Sequence, residues 1–244
     1  MMNKFVLAAL IVPQAASAKV ELITNGSFEV NNAADGTKQW AAVAAMPGWT
    51  AQSYMPNNSD SNLMYVATPG TADKVDGLMT VYGPFEATSP DGGDFIIATG
   101  DPRYAGTLSQ TVSGLTVGET YTLNFWQAAG QNVGFTGPTT ERWKVTFGGE
   151  TQYSDKFSLP EGGIGPWESQ TMSFVASSTS QLLSFMAVGT PGGQPPISFL
   201  DGVSMSAYQP PVGGVPEPST WAMMIFGFGA IGGIMRRRPR RALA

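Results

Sequence analysis

The chain has 244 residues, of which 42% are hydrophobic and 13% charged, and it contains neither Cys nor His. The charged fraction is about half the roughly 25% of ordinary soluble domains, and Gly and Pro together make up about a fifth of the residues, which is typical of strands joined by turns. Without Cys and His the chain lacks disulfides, thiolate metal ligands, the usual nucleophilic thiol and the commonest general base. An enzyme of this composition would have to use carboxylates, Lys or Tyr.

The net charge of −5 is unevenly distributed along the chain. Lys4 is the single basic residue of the first 18, and five Arg lie among the last nine residues. The stretch 19–217 holds the remaining seven basic residues and all 18 acidic ones, an excess of eleven negative charges. Because such a surface repels phosphate backbones, the sequence predicts no nucleic-acid partner.

Residues 1–18 have the three parts of a secretory signal peptide. Lys4 gives a positive start, 5–12 form an apolar run, and Ala16 and Ala18 flank a small-residue cleavage site. Eight apolar residues in a helix span about 12 Å, far less than the roughly 30 Å of a bilayer core. We therefore expect removal after Ala18 and export across the inner membrane; a buried core helix is the alternative.

The C-terminal segment 216–241 combines an extended motif, an apolar stretch and a basic cluster. Pro216, Glu217 and Pro218 exclude helix at its start, and 220–235 hold no charge and would form a helix of about 24 Å. The arginines that follow, Arg236, Arg237 and Arg238 first among them, are expected to stay in the cytoplasm. Residues 209–215, rich in Pro and Gly, are predicted to be a linker.

The order Pro216-Glu217-Pro218, Trp221, apolar run and Arg cluster resembles the PEP-CTERM sorting tail. This resemblance implies recognition by a processing enzyme of the exosortase type, cleavage near the Pro-Glu-Pro element, and a final location at the cell surface or outside the cell. It also implies an association with exopolysaccharide. The hydrophobic helix would then anchor the chain in the inner membrane only transiently; a permanent single-pass anchor is the alternative.

The segment between the two ends, residues 19–208, shows the alternation of β-strands. Tyr121, Leu123 and Phe125 fall on one face of a predicted strand, and Trp143, Val145 and Phe147 repeat the pattern. Further short strands are predicted at 95–98, 108–112, 170–174 and 182–186, with Gly-containing turns between them. This spacing predicts an all-β antiparallel sandwich or jelly roll.

Three segments of this domain resemble galactose-binding-like jelly rolls of carbohydrate-binding modules. They are the opening Asn25-Gly26-Ser27-Phe28-Glu29, a predicted hairpin over 106–123, and the final Phe199-Leu200-Asp201-Gly202-Val203, in which Gly202 replaces the usual second Asp. The resemblance implies that Glu29 and Asp201 lie side by side and hold a structural Ca²⁺, a cation that takes six to eight oxygen ligands. Solvated turn acids are the alternative interpretation.

A second acidic group, Asp91, Asp94 and Asp101, surrounds one predicted strand. Paired carboxylates of this kind serve glycosidases, and a second cation site is the other functional interpretation, although Asp in such contexts more often caps turns.

Sugar-binding surfaces commonly present aromatic rings that stack on the pyranose. Trp126, Trp49 and Tyr104 are the leading candidates here, and Tyr54, Tyr82 and Trp167 are further aromatics in loops or off the inward phase of strands. Trp126 falls opposite the Tyr121-Leu123-Phe125 face. The competing interpretation is that each ring covers an edge of the core.

These observations predict an exported, non-enzymatic β-sandwich protein that binds or scaffolds extracellular polysaccharide. Two alternatives stay open: an extracellular carbohydrate-active enzyme using Asp and Glu, and a structural matrix or adhesion component without a small ligand.

Overall fold

The computed structural model describes residues 20–41, 44–53, 63–86 and 88–208, together with Met223, Ile225, Phe226 and Phe228. Backbone contacts divide the chain into two units, Met1–Tyr208 and Gln209–Ala244. The predicted signal peptide at 1–18 and the predicted linker at 209–215 lie outside the described residues. Within the second unit the four described residues have helical backbone and exposed side chains, and the helix over 220–235 stays a prediction. No helix among the described parts of the chain is both long enough and apolar enough to cross a membrane.

The described residues form twelve β-strands: β1 (Lys38–Trp40), β2 (Thr50–Ser53), β3 (Met64–Ala67), β4 (Phe95–Thr99), β5 (Gly106–Ser113), β6 (Thr120–Gln131), β7 (Thr139–Phe147), β8 (Glu150–Tyr153), β9 (Phe157–Leu159), β10 (Ile164–Val175), β11 (Ser180–Thr190) and β12 (Pro196–Ala207).

These strands make two antiparallel sheets. Sheet A has the order β1-β3-β4-β12-β6-β10, and sheet B has the order β2-β5-β11-β7-β8, with β9 also paired to β7. The predicted fold class, an all-β antiparallel sandwich, is confirmed. The last strand, β12, lies between β4 and β6 rather than at an edge.

The main core lies between the sheets, where the predicted alternation places it. Tyr121, Leu123 and Phe125 of β6 are buried, and so are Trp143, Val145 and Phe147 of β7. The Trp143 indole crosses the gap between the sheets and donates a hydrogen bond of 2.9 Å to the Phe199 carbonyl of β12. Trp143 is therefore a core residue, as its phase in the strand predicts.

A second hydrophobic cluster covers the outer face of sheet A. It includes Phe95 of β4, Trp167 of β10 and Phe199 of β12, and Met79 and Val81 of the β3–β4 connection pack on it. The side chain of Lys38, fully buried, holds this connection in place by donating to the carbonyls of Met79 and Lys74. Sheet A is thus buried on both faces in this region.

The opening segment packs directly against the last strand. Val203 N–H donates to the Gly26 carbonyl at 2.9 Å, and a Cβ at position 26 would overlap the Val203 carbonyl. Asn25 and Phe28 have positive φ angles of 54° and 57°, and the Asn25 side chain bonds both backbone groups of Val30. This tight turn brings Glu29 beside β12, close to Asp201.

Candidate functional site

Four carboxylates meet where the opening segment, the loop before β4 and β12 come together. They are Glu29, Asp91, Asp94 and Asp201, and we call them the acidic corner. Glu29 Oε1 accepts a hydrogen bond of 2.9 Å from the backbone of Asp94. Asp201 is fully buried, and its two oxygens accept bonds from the Ser89 hydroxyl and from Gly202 N–H. The structure therefore places Glu29 and Asp201 in one site.

The charges of the acidic corner repel one another. Burial raises the pKa of Asp201 to about 8, with smaller contributions from the charges of Asp91 and Glu29, while the Ser89 and Gly202 hydrogen bonds oppose the rise. The pKa of Glu29 is also raised, first by burial and then by Asp94 and Asp91. A bound cation would relieve this repulsion.

Asp91 stands where a side chain at position 202 would lie. Gly202 has a positive φ of 56°, and a Cβ there would come within 2.9 Å of Trp126 and 3.0 Å of Asp91. The carboxylate that the sequence pattern lacks at position 202 is thus brought to the corner by the loop before β4. The sequence does not indicate how this loop aligns with β12, so it does not predict that Asp91 and Ser89 lie at the acidic corner.

As they stand, the described side chains do not converge into a metal centre. No three acidic groups among the described residues are gathered in a geometry that holds a metal ion. Calcium binding at the corner therefore requires side chains such as Asp91 to turn toward Asp201.

Asp101 belongs to a different part of the fold. It lies beyond the far end of β4, whose five residues span about 16 Å, whereas catalytic carboxylate pairs of glycosidases are roughly 5–9.5 Å apart. Arg103 pairs with it at 2.7 Å and, with Gly193 N–H, lowers the pKa of Asp101 to about 2. The interpretation of Asp91, Asp94 and Asp101 as one catalytic group is therefore wrong, because β4 holds them apart.

Of the aromatic candidates, Trp126 lies nearest the acidic corner. It is half-buried on the outer face of sheet A, directly paired with Asp201 of β12 and Ser169 of β10, and it packs against the second hydrophobic cluster. Its position opposite the core face agrees with the alternation of β6.

Trp49 is not available for stacking on a ligand. Its ring is only 7% exposed, it packs against Phe28 and Phe185, and its indole donates to the Asn25 carbonyl at 2.8 Å. The prediction of a free Trp49 surface is wrong, because the opening segment folds over this ring.

Tyr104 is 37% exposed, and the Arg103 guanidinium lies 5.4 Å from the ring centre. Tyr82 is half-buried and donates its hydroxyl to the Phe135 carbonyl. Tyr54 lies outside the described residues, as do Pro216, Glu217, Pro218 and Trp221 of the sorting motif and Arg236, Arg237 and Arg238.

An aromatic cleft lies at the outer edge of sheet A. A bulge in β10 between Gly165 and Glu168 brings Trp167 toward the segment Pro84–Glu86. The cleft has a volume of about 230 Å³ and is lined by Phe85, Trp167, two prolines and Glu86. Phe85 is held by stacking on Phe199 at 4.4 Å between ring centres. Phe85 was not predicted, because the sequence shows no periodicity in the long β3–β4 connection.

The Trp167 indole N–H is buried without a hydrogen-bond acceptor among the described residues. A buried donor without a partner costs about 1–3 kcal/mol, and such donors mark places where a ligand or water supplies the acceptor. The cleft thus offers the half-buried Phe85 ring and the exposed Glu86 carboxylate, above a Trp167 ring that is 9% exposed.

Comparisons with known proteins assign two parts of the chain. Residues 20–186 match the model of the HpiC1-like family, described as HpiC1 cyclase. Residues 214–241 match the PEP-CTERM protein-sorting motif. This second match confirms the resemblance of the C-terminal segment to the PEP-CTERM tail. No curated protein sequence matches the chain.

Several solved structures are distantly similar to the sandwich. TmCBM61 in complex with β-1,4-galactotriose is 13% identical over 78% of this chain and 99% of its own, with a TM-score of 0.43. The CBM22-1 xylan-binding domain of Paenibacillus barcinonensis Xyn10C is 15% identical over 80% and 99%, with a TM-score of 0.41. The K3 cleaved adhesin domain of Lys-gingipain from Porphyromonas gingivalis W83 is 14% identical over 77% and 98%, with a TM-score of 0.42. Similarity at this level does not assign a ligand.

Proposed function

The chain belongs to the HpiC1-like family and carries a PEP-CTERM sorting motif, and we propose that it is an exported, surface-sorted protein that binds extracellular polysaccharide without altering it. The sorting motif indicates export and surface sorting. In this proposal an exosortase-type enzyme processes the tail near Pro216-Glu217-Pro218, after transient anchoring of 220–235 in the inner membrane. The arginines Arg236, Arg237 and Arg238 hold the cytoplasmic end of that anchor.

The aromatic cleft is the observation that carries the binding proposal. Phe85, half-buried, supplies the apolar ring on which a pyranose stacks, and the Trp167 ring, 9% exposed, forms the floor beneath it. The unpaired Trp167 N–H supplies a donor for a sugar hydroxyl, and the Glu86 carboxylate supplies an acceptor. The proposed ligand therefore lies at Phe85 and Trp167, and Trp126 and Tyr104 are alternative contact points in this proposal.

Two conservative variants test the cleft. A glycan array screened with the full chain identifies an oligosaccharide, whose affinity is then measured by calorimetry. Trp167→Phe keeps an aromatic ring but removes the N–H, and Phe85→Leu keeps the apolar volume but removes the ring. Each is expected to weaken binding about 2–10-fold, the size of one hydrogen bond or one aromatic contact. If Tyr104→Ala weakens binding and both cleft variants bind as the parent does, the cleft is not the site.

We also propose a structural Ca²⁺ at the acidic corner, held by Glu29 and Asp201 with Asp91. The carboxylates and nearby carbonyls are the hard oxygen ligands that Ca²⁺ prefers. The ion would fix the opening segment against β12, where burial, and to a smaller extent the charges of Asp91 and Glu29, raise the pKa of Asp201.

Catalysis is the second candidate function, because the family model is described as HpiC1 cyclase. In a chain without His or Cys, proton transfer would fall to a carboxyl group. NMR spectroscopy together with mass spectrometry of the ligand after prolonged incubation separates the two candidates. Recovery of the unaltered oligosaccharide supports binding alone, whereas conversion to an isomer of equal mass or to shorter fragments supports catalysis.

A further inference from the structure

Four polar side chains project into the space between the two sheets, where hydrophobic residues are expected. They are Gln127 of β6, Thr139 and Glu141 of β7, and Ser198 of β12, each 1% exposed. We call them the oxygen cluster. They lie apart from both the acidic corner and the aromatic cleft, and neither proposal above uses them.

Strand register places these side chains at one end of the sandwich. On sheet A, Ser198 pairs with Ala129, two residues along β6 from Gln127 on the same face. On sheet B, Glu141 pairs with Phe157, and Phe157 packs across the gap on Ala129. Glu141 therefore faces the part of sheet A that carries Ser198 and Gln127.

The same end of the sandwich is closed by a close approach of the two sheets. Gly189, the partner of Glu141 on β11, donates to the Gly100 carbonyl at 2.9 Å. A Cβ at Gly100 would come within 2.6 Å of the Gly189 nitrogen. The backbones seal the oxygen cluster from solvent on this side.

Five oxygens of the cluster make no hydrogen bond of good geometry among the described residues, although the Thr139 hydroxyl lies near enough to Glu141 to act on its pKa. They are both carboxylate oxygens of Glu141, the amide oxygen of Gln127, and the hydroxyls of Thr139 and Ser198. The amide nitrogen of Gln127 donates instead to the Asp155 carbonyl at 3.0 Å, which leaves its oxygen turned to the cluster. A carboxylate, an amide oxygen and two hydroxyl oxygens are the kind of ligands that a hard metal cation takes.

The charge of the cluster limits the cation it would hold. An isolated carboxylate is costly to bury and needs a compensating charge or a proton. Neither salt bridge of the described residues involves Glu141. One carboxylate with three neutral oxygens is electrically balanced by a single positive charge, whereas a divalent ion would leave a net charge in a buried space.

We propose that the oxygen cluster binds one monovalent metal cation, Na⁺ or K⁺, through Glu141, Gln127, Thr139 and Ser198. The cation ties the inner face of β7 to that of β6 and β12 at the closed end of the sandwich. It makes the folded domain more stable in salt-rich external fluid.

Thermal unfolding of the full chain at pH 8, with a calcium chelator present, tests this site. Tm is measured in NaCl, in KCl and in choline chloride at equal ionic strength, because choline screens charges equally but is too large for the cluster. Tm is expected to rise by about 3–6 °C for each tenfold increase in Na⁺ or K⁺ above the dissociation constant, with no matching rise in choline. Equal curves in all three salts would overturn the proposal and indicate a protonated, hydrated Glu141.

Matched variants locate the effect. Glu141→Gln keeps the shape of the side chain but removes its charge, and it is expected to abolish the difference in Tm between NaCl and choline chloride. Glu119→Gln, at an exposed turn, is expected to retain that difference. Ser198→Ala is expected to shift the response to higher cation concentration, and it provides the readout should Glu141→Gln not fold. A Na⁺ response that persists in both cluster variants contradicts the site. A response to Ca²⁺ alone that Glu141→Gln removes contradicts the monovalent assignment.

Discussion

The backbone N–H of Val203 in the last strand donates a hydrogen bond of 2.9 Å to the carbonyl of Gly26 in the opening turn. The two ends of the domain, separated by most of its length in sequence, are thereby joined beside Asp201. Because the contact is between backbones, it depends on the absence of a side chain at position 26.

Gly26→Ala is expected to destabilise the domain by about 2–4 kcal/mol, since its Cβ would overlap the Val203 carbonyl and force the turn from β12. Gly149→Ala is the control, because a Cβ there meets no neighbouring atom. Denaturant unfolding measures both variants. Equal midpoints for the two would show that the opening turn does not need this close approach.

Removal of calcium is expected to lower Tm if the acidic corner holds the ion. Asp201→Asn should remove the response to added CaCl₂ because it removes a buried carboxylate ligand, whereas Asp35→Asn, at an exposed position, should leave it unchanged. Calorimetric scans with chelator and with CaCl₂ provide the measurement. A Tm of the parent chain that is the same in both conditions contradicts the calcium proposal.

The Asp101–Arg103 pair is expected to stabilise the fold above about pH 4. The pKa of Asp101 in the folded state, about 2, lies below the ordinary value of 3.8. The stabilisation that the pair provides is therefore complete above pH 3.8 and is lost as pH falls toward 2. Asp101→Asn should lower Tm at pH 7 and show a smaller further loss between pH 4 and 2. Parallel Tm profiles for variant and parent over that interval would argue against the pair.

The contribution of Glu141 to stability is expected to depend on pH in the opposite sense, in a buffer without Na⁺ or K⁺. Burial raises its pKa to about 7 from an ordinary 4.5, an effect that the Thr139 hydroxyl partly offsets. Its stabilising contribution is complete below 4.5 and is lost as pH rises through 7, by about 3 kcal/mol at most. Subtracting the Glu141→Gln profile from that of the parent isolates this group from Asp201, whose pKa is also raised. A flat difference between pH 5 and 8 contradicts the raised pKa.

Sequence periodicity predicts the long strands that are buried on one face, and a short apolar run predicts β4, which is buried at all five positions, but β3 is missed. β7 alternates along its whole length and β6 alternates as far as Gln127, and their inward residues include the ones predicted. β3 is buried at all four positions because the second hydrophobic cluster covers its other face, so it shows no alternation. Phe85 belongs to the same outer layer and lies in a connection without periodicity, so the sequence does not predict its position.

The site residues divide in the same way. The resemblance at the two ends of the domain predicts that Glu29 and Asp201 share a site, since both lie on segments of recognisable pattern, and their role as calcium ligands stays a prediction. Trp49 was misjudged because a loop position does not reveal which segment folds over it. Glu141 carries a usable signal, because the alternation of Trp143, Val145 and Phe147, extended back by two residues, places its carboxylate inside the sandwich.

The central position of β12 has a mechanical consequence. The strand that leads into the C-terminal segment is hydrogen-bonded to β4 on one side and β6 on the other. Force applied through that end must therefore break the hydrogen bonds of β12 to both β4 and β6 at once. Force on an edge strand would break hydrogen bonds on one side only.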